Sequence, residues 1–355
     1  MGDRVGKIYS IQFLRAMAAI FVVISHVWAT NGVIGKPLGF DYIGGYGVDI
    51  FFVISGFIMC YTIKDVFISP RREAISFITK RILRIYPVYF IIASPAIIYL
   101  MHQHISFGGS ISAYDVIGNF LLLPTFTQNP DYHMFYYVAW SLCYEMMFYA
   151  LFAILMCFCK RKTTLVISMI TIMIGMVVFV QTFRLQGQML GWVNITYMIG
   201  DSLMINFALG CVAFLVYSQV RNVSIKPIMA ISMIILLIAI GIINAQHQAY
   251  RLFSFGITSF AIVMIALYTN LPDIEKSKTE TIGVYLGNAS YSIYLFHLYI
   301  VFASEKIYSI VPIQKDITGA IMSLVAVLLG CVCYTFIEKP LNNIIHGRIY
   351  RRIHA

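Results

Sequence analysis

Apolar residues recur in long unbroken runs, not in the alternating or one-in-three patterns of soluble strands and helices. A helix crossing a bilayer needs ~20 such residues. Ten runs of that kind lie near 11–29, 45–63, 83–101, 135–158, 163–182, 196–218, 227–244, 252–269, 283–304 and 317–337. Segment 112–126 is also apolar, but Asp115, Asn119 and Pro124 interrupt it, so it is expected to re-enter or to lie at the interface. The pattern predicts an all-α fold, a polytopic membrane bundle of about ten transmembrane helices. The bundle is expected over 1–340 as one domain, with a short basic cytoplasmic tail at 341–355 and no separate soluble domain. Gln12 and Arg15 enter the first run early and no small-residue cleavage site follows it, so a removable signal peptide is not expected.

Composition agrees. Of 355 residues, 60% are hydrophobic and 11% charged, where soluble domains carry about 25% charged residues. A soluble enzyme, a disordered chain and a secreted disulfide scaffold are excluded. The net charge of +10 reflects the excess of Lys and Arg in cytoplasmic loops. With the N-terminus inside, 19 basic residues fall in inner segments, among them Arg4, Lys7, Arg71, Arg72, Arg81, Arg84, Arg221, Lys276 and Arg348. Only five (Lys36, Arg184, Arg251, Lys306 and Lys315) fall in outer ones. Both termini are therefore expected in the cytoplasm. The seven cysteines show neither a C-x-x-C pair nor zinc spacing and read as small buried hydrophobes.

An ionisable group in hydrocarbon is costly, so the polar positions inside the runs are the informative ones. Arg15 and His26 share a face of the first span and are eleven residues apart, a rise of ~16 Å. Asp49, in Gly47-Val-Asp-Ile-Phe-Phe, is expected at about the depth of His26; it either caps a helix start or orients the imidazole. Ser141 and Glu145 lie four apart in the fourth span, behind Trp140. Ser290, Tyr294 and His297 form a polar stripe in the ninth, and Glu338-Lys339-Pro340 reads as a helix stop. Arg81 and Arg84 are a helical turn apart at the inner entry of the third span, where two guanidiniums suit either a multiply charged phosphate or anionic lipid. The outer segment 102–134 has no Lys or Arg but carries His102, His104, Asp115, Asn119, Asn129, Asp131 and His133 near Tyr132, Phe135, Tyr136 and Tyr137, a composition that suits either a sugar or an ordinary polar loop. There is no phosphate-binding glycine loop, no nucleophile elbow, no metal-ligand cluster and no folded nucleic-acid module.

In order along the chain stand Arg15-x10-His26, the Gly47-to-Phe57 run, Arg81-x-x-Arg84, Trp140-Ser-Leu-x-x-Glu145 and Ser290-Tyr-Ser-x-Tyr-Leu-x-His297. Taken together they resemble the family-3 membrane acyltransferases, bacterial enzymes that O-acetylate cell-surface sugars, and the Asp49 variant is most similar to the exopolysaccharide branch. The resemblance implies an acyl-CoA-dependent O-acyltransferase of the bacterial inner membrane. Its donor would be acetyl-CoA or another short acyl-CoA, and its acceptor a polysaccharide or lipid-linked sugar. No metal and no nucleic acid are implied, membrane lipids are partners, and an oligomer is compatible with the sequence. Many relatives carry a further span and an esterase-like domain; here the bundle is expected to act alone or to pass its acyl group to a partner.

On this reading Arg15, Arg81 and Arg84 bind the cofactor. The phosphates sit on the Arg81/Arg84 pair, and the pantetheine arm follows the ~16 Å from Arg15 to His26. His26 is the general base, oriented by Asp49 or Glu145. His297, Ser141 or Tyr294 bonds the developing oxyanion, and Trp140, Ser141 and Tyr294 contact substrate. The competing class is a polysaccharide or lipid-linked-sugar transporter or flippase. The lack of an internal repeat counts against it.

Overall fold

In hydrocarbon, backbone N–H and C=O groups find partners only in each other, and this chain satisfies them with helix almost throughout. A computed structural model describes residues 8–28, 33–126, 134–220, 223–271, 278–310 and 315–354. The helices are α1 (Tyr9–Val27), α2 (Phe40–Thr62), α3 (Pro70–Ser106), α4 (Ala113–Leu121), α5 (Trp140–Phe158), α6 (Lys162–Thr182), α7 (Ile195–Gly200), α8 (Ser202–Gln219), α9 (Pro227–Gln246), α10 (Ile257–Leu267), α11 (Lys278–Ile310), α12 (Lys315–Cys333) and α13 (Lys339–His354). Among the described residues, eight helices are long and apolar enough to cross a membrane, and Leu252–Leu267 is a shorter apolar one. The fold is thus the expected all-α polytopic membrane bundle. Arg4, Lys7, Asn129, Asp131, Tyr132, His133, Arg221 and Lys276 lie outside the described residues.

Four boundaries differ from expectation, each for a local reason. Helix α2 starts at Phe40, after Gly39 in the left-handed region (φ 68°), earlier than the apolar run at 45. Helix α3 has 37 residues, ~55 Å at 1.5 Å per residue, so Arg81 and Arg84 stand on it and not in a loop. The run 196–218 is broken at Asp201, whose side chain accepts from Leu203 N–H (3.3 Å) and Ser202 Oγ (3.1 Å) to start α8. No helix stop occurs at Glu338-Lys339-Pro340. A π turn, Tyr334–Glu338, leads directly into α13, and its shifted hydrogen-bond register accommodates a residue without an N–H. Segment 341–354 is accordingly helical. The nine-residue α4 is too short to span.

The chain divides into two units, Met1–Ile63 with Ile205–Thr335, and Lys64–Met204 with Phe336–Ala355. In the first, α1 packs against α2, α11 and α12 through positions without side chains. A Cβ on Gly47 would sit 2.4 Å from Ala18 O, and one on Gly287 2.1 Å from Gln12 O. Ala19, Val23, Val27, Ala289, Ile293, Met322 and Ala326 fill the shared core. Helix α2 meets α8 as closely, Gly56 against Phe207 O and Gly210 against Val53 O. One carboxylate pins the end of α1: Asp316 accepts from Trp28 Nε1 (2.9 Å) and from the N–H groups of Val33 (2.6 Å), Ile34 (3.2 Å) and Gly35 (3.3 Å).

In the second unit α3 packs on α5, α5 on α6 and α6 on α7. Thr125 is stitched to the segment before α7, its N–H to Val193 O (2.8 Å) and its carbonyl accepting from Ile195 N–H (3.0 Å).

Candidate active site

The first unit brings two histidines together. Helices α1 and α11 run in the same direction, since Gly287 meets Gln12 near one end and His297 meets His26 near the other. His26 Nδ1 lies 2.9 Å from His297 Nε2, and the rings are nearly parallel with centroids 5.2 Å apart. His297 is 0% exposed, and its Nδ1 lies 2.5 Å from Tyr294 O. A carbonyl oxygen only accepts, so His297 Nδ1 carries hydrogen. Neutral His297 then presents a lone pair at Nε2, and His26 must donate to it from Nδ1. That network assigns the tautomers and puts the basic lone pair of His26 on Nε2. The arrangement repeats the logic of a hydrolase triad, with a second imidazole in place of the carboxylate. Tyr294 backs the pair, its ring 5.8 Å from that of His297. Arg15, half-buried on α1, reaches Gln12 Oε1 at 3.5 Å.

Asp49 is placed differently from expectation. It is not a cap, since Gly39 holds that place on α2. Gly44 faces Ser25 and Gly47 faces Ala18, so α2 runs antiparallel to α1 and Asp49 lies roughly 9 Å deeper than His26. The 0% exposed carboxylate receives Arg251 on Oδ2, from Nε at 3.1 Å and Nη2 at 2.6 Å. Asn206 Nδ2 donates to Oδ1. A buried charge needs a partner of this kind. The hydrogen bond at His26 Nδ1 is with His297.

The second unit holds the other candidates. Tyr149 Oη donates to Glu145. The Arg81 guanidinium lies over the rings of Phe77 (5.2 Å) and Tyr149 (5.3 Å), and Glu145 and Arg84 are the charges that act on it. Arg81 is therefore half-buried over two aromatic rings, while Arg84 is exposed. The expected pair divides into an inward and an outward guanidinium, and Glu145 has its basic neighbour within its own unit. Ser141 Oγ donates to Val138 O at 3.3 Å, and Trp140 stacks on Trp192 with centroids 5.1 Å apart. Among the described residues, no three His, Cys, Asp or Glu side chains gather as a metal site.

Sequence reasoning missed Arg251, Asn206 and Asp201. Arg251 stands at the edge of an apolar run, in an outer segment; the signal available was the Asp49 carboxylate inside an apolar run, where a charge needs a cation. Asp201, between Gly200 and Ser202, carried an N-cap signature inside an apolar run.

A family model described as an acyltransferase domain matches residues 8–336. The chain belongs to the acyltransferase-3 family. This acyltransferase-3 protein is 24% identical to O-acetyltransferase OatA of Staphylococcus aureus (strain NCTC 8325 / PS 47), over 96% of this chain and 59% of that one. It is also 24% identical to peptidoglycan O-acetyltransferase OatA of Listeria monocytogenes, over 94% of this chain and 56% of the relative. A third similar protein is the exopolysaccharide production protein ExoZ of Rhizobium meliloti, 24% identical over 84% of this chain and 90% of ExoZ. The acyltransferase-3 chain thus spans under two thirds of the length of both OatA relatives. No solved structure matches it.

Proposed function

We propose that this acyltransferase-3 protein transfers an acetyl group from acetyl-CoA to a hydroxyl of a cell-envelope polysaccharide or its lipid-linked precursor, in the bacterial inner membrane with both termini cytoplasmic. The observation that carries this reading is the His26–His297 pair, a buried imidazole relay ending on the basic nitrogen of His26.

His26 Nε2 accepts the proton of the sugar hydroxyl as its oxygen attacks the thioester carbonyl. The carbon–sulfur bond breaks, the acetyl ester forms, and the imidazolium returns its proton to the departing CoA thiolate. Positive charge on His26 strengthens its hydrogen bond to His297 Nε2, so the relay stabilises the transition state more than the ground state. Arg84, exposed on α3, is assigned to the CoA phosphates, with Arg81 as its charged neighbour. Arg15 is assigned to the donor as well. The names of the relatives support a glycan acceptor, peptidoglycan for one and exopolysaccharide for another. We take exopolysaccharide as the acceptor class, because the alignment with ExoZ runs over most of both chains.

Solution NMR of surface polysaccharide and of peptidoglycan, from cells with and without the gene, tests this. Loss of O-acetyl signals from the exopolysaccharide is expected. Loss from peptidoglycan alone would move the acceptor, and unchanged signals in both would contradict the reading.

A further inference from the structure

We propose that Asp316 is a positioning residue for acetyl transfer: through Trp28 it holds the outer end of α1 at the height and rotation where His26 bonds His297. This rests on the reading of His26 as the base.

His26 is the last residue but one of α1. The final turn of a helix leaves carbonyls without intrahelical partners and frays, so a base placed there needs support from outside the helix. Three contacts supply it. Trp28 N–H closes the turn on Ile24 O (2.9 Å), and Tyr308 Oη, from α11, donates to Val27 O (2.9 Å). The third is Asp316, at the start of α12. Its Oδ1 accepts from Trp28 Nε1 (2.9 Å) and Gly35 N–H (3.3 Å), and its Oδ2 from Val33 N–H (2.6 Å) and Ile34 N–H (3.2 Å). The indole itself lies against Gly319 of α12, where a Cβ would come within 2.7 Å of the ring, and Phe40 stands edge-on to it at 4.9 Å.

An acidic residue in the first turn of a helix ordinarily serves that helix, through its own N–H groups and dipole. Asp316 instead directs all four bonds to residues 281 to 288 positions away, at the end of α1 and in the turn beyond it. Apolar packing sets how closely helices approach but permits sliding and rotation; charge-assisted bonds of fixed direction do not. Only Val27 separates His26 from Trp28. A shift of about 1 Å at this end would take the 2.9 Å contact between His26 and His297 beyond hydrogen-bond distance. Helix α12 is a fitting anchor, because its Gly330 packs against Ile293 of α11, the helix that carries His297. Both histidines are thereby held to one frame.

The test uses the full chain in lipid nanodiscs with acetyl-CoA and de-esterified surface polysaccharide. Asp316→Asn keeps the side-chain shape and turns one acceptor into a donor. It is expected to lower kcat about tenfold and to leave the KM for acetyl-CoA unchanged. Trp28→Phe keeps an aromatic ring against Gly319 and removes the Nε1–H. It is expected to lower kcat as well, and the double variant to fall no further than Asp316→Asn alone. A role in stability alone would lower the melting temperature and leave kcat untouched at temperatures well below it. That outcome, a rise in KM alone, or additive losses would overturn the proposal, and Trp28→Phe decides if Asp316→Asn does not fold. Magic-angle-spinning NMR of histidine-labelled protein reads position without turnover. A cross-peak between the ring nitrogens of His26 and His297, 2.9 Å apart, is expected in the wild type and lost in Asp316→Asn. That result supports the positioning role even if the wild type transfers no acetyl, which would sink only the acyltransferase reading. A cross-peak absent from the wild type, or undiminished in both variants, would overturn the positioning role.

Discussion

A histidine in an apolar helix takes its chemistry from whichever atom its other nitrogen touches. For His26 that atom is His297 Nε2, and the carbonyl of Tyr294 behind it fixes both tautomers. The two histidines were legible in the sequence as polar positions in apolar spans, but their contact was not, because it joins residues 271 apart. Asp49 shows the reverse case. It stood out in the sequence as a carboxylate in an apolar run, but its partner did not, since Arg251 lies outside the apolar run that would have drawn attention to it. Removing one member of a buried ion pair leaves the other uncompensated, at a cost of about 3–5 kcal/mol. Asp49→Asn and Arg251→Gln are each expected to lower the melting temperature of the protein in detergent, and the double variant to lose much less than the sum of the two. Additive losses would show that the two charges do not stabilise one another.

Elements were read correctly where apolar sequence ran unbroken and misread at their ends, where capping and packing decide. Gly39 starts α2 early, Asp201 restarts a helix inside an apolar run, and a π turn carries the chain past Pro340. The length of α3 matters most for the proposed function, because it places Arg81 and Arg84 on one element with different surroundings. Arg81 packs over Phe77 and Tyr149, so Arg81→Ala is expected to lower thermal stability. Arg84 faces outward, so Arg84→Ala should leave stability unchanged and raise the KM for acetyl-CoA about tenfold, as the loss of one charge-assisted phosphate contact would. Melting curves and donor kinetics on the two variants check this division; equal effects on both quantities would refute it.

At the scale of the whole molecule, membership of the acyltransferase-3 family and the all-helical bundle were both anticipated, because a polytopic chain writes its spans in long apolar runs and its chemistry in the few polar positions that interrupt them. The acceptor was less legible: relatives of equal identity act under peptidoglycan and exopolysaccharide names. What the proposed function requires of this molecule is one proton acceptor inside a membrane helix. The most direct measurement is single-turnover transfer of radiolabelled acetyl from acetyl-CoA to de-esterified polysaccharide by the wild type and by His26→Ala, with melting temperatures recorded for both. Loss of transfer on the order of a hundredfold or more, at an unchanged melting temperature, is the predicted result. Transfer at the wild-type rate by a folded His26→Ala protein would contradict it.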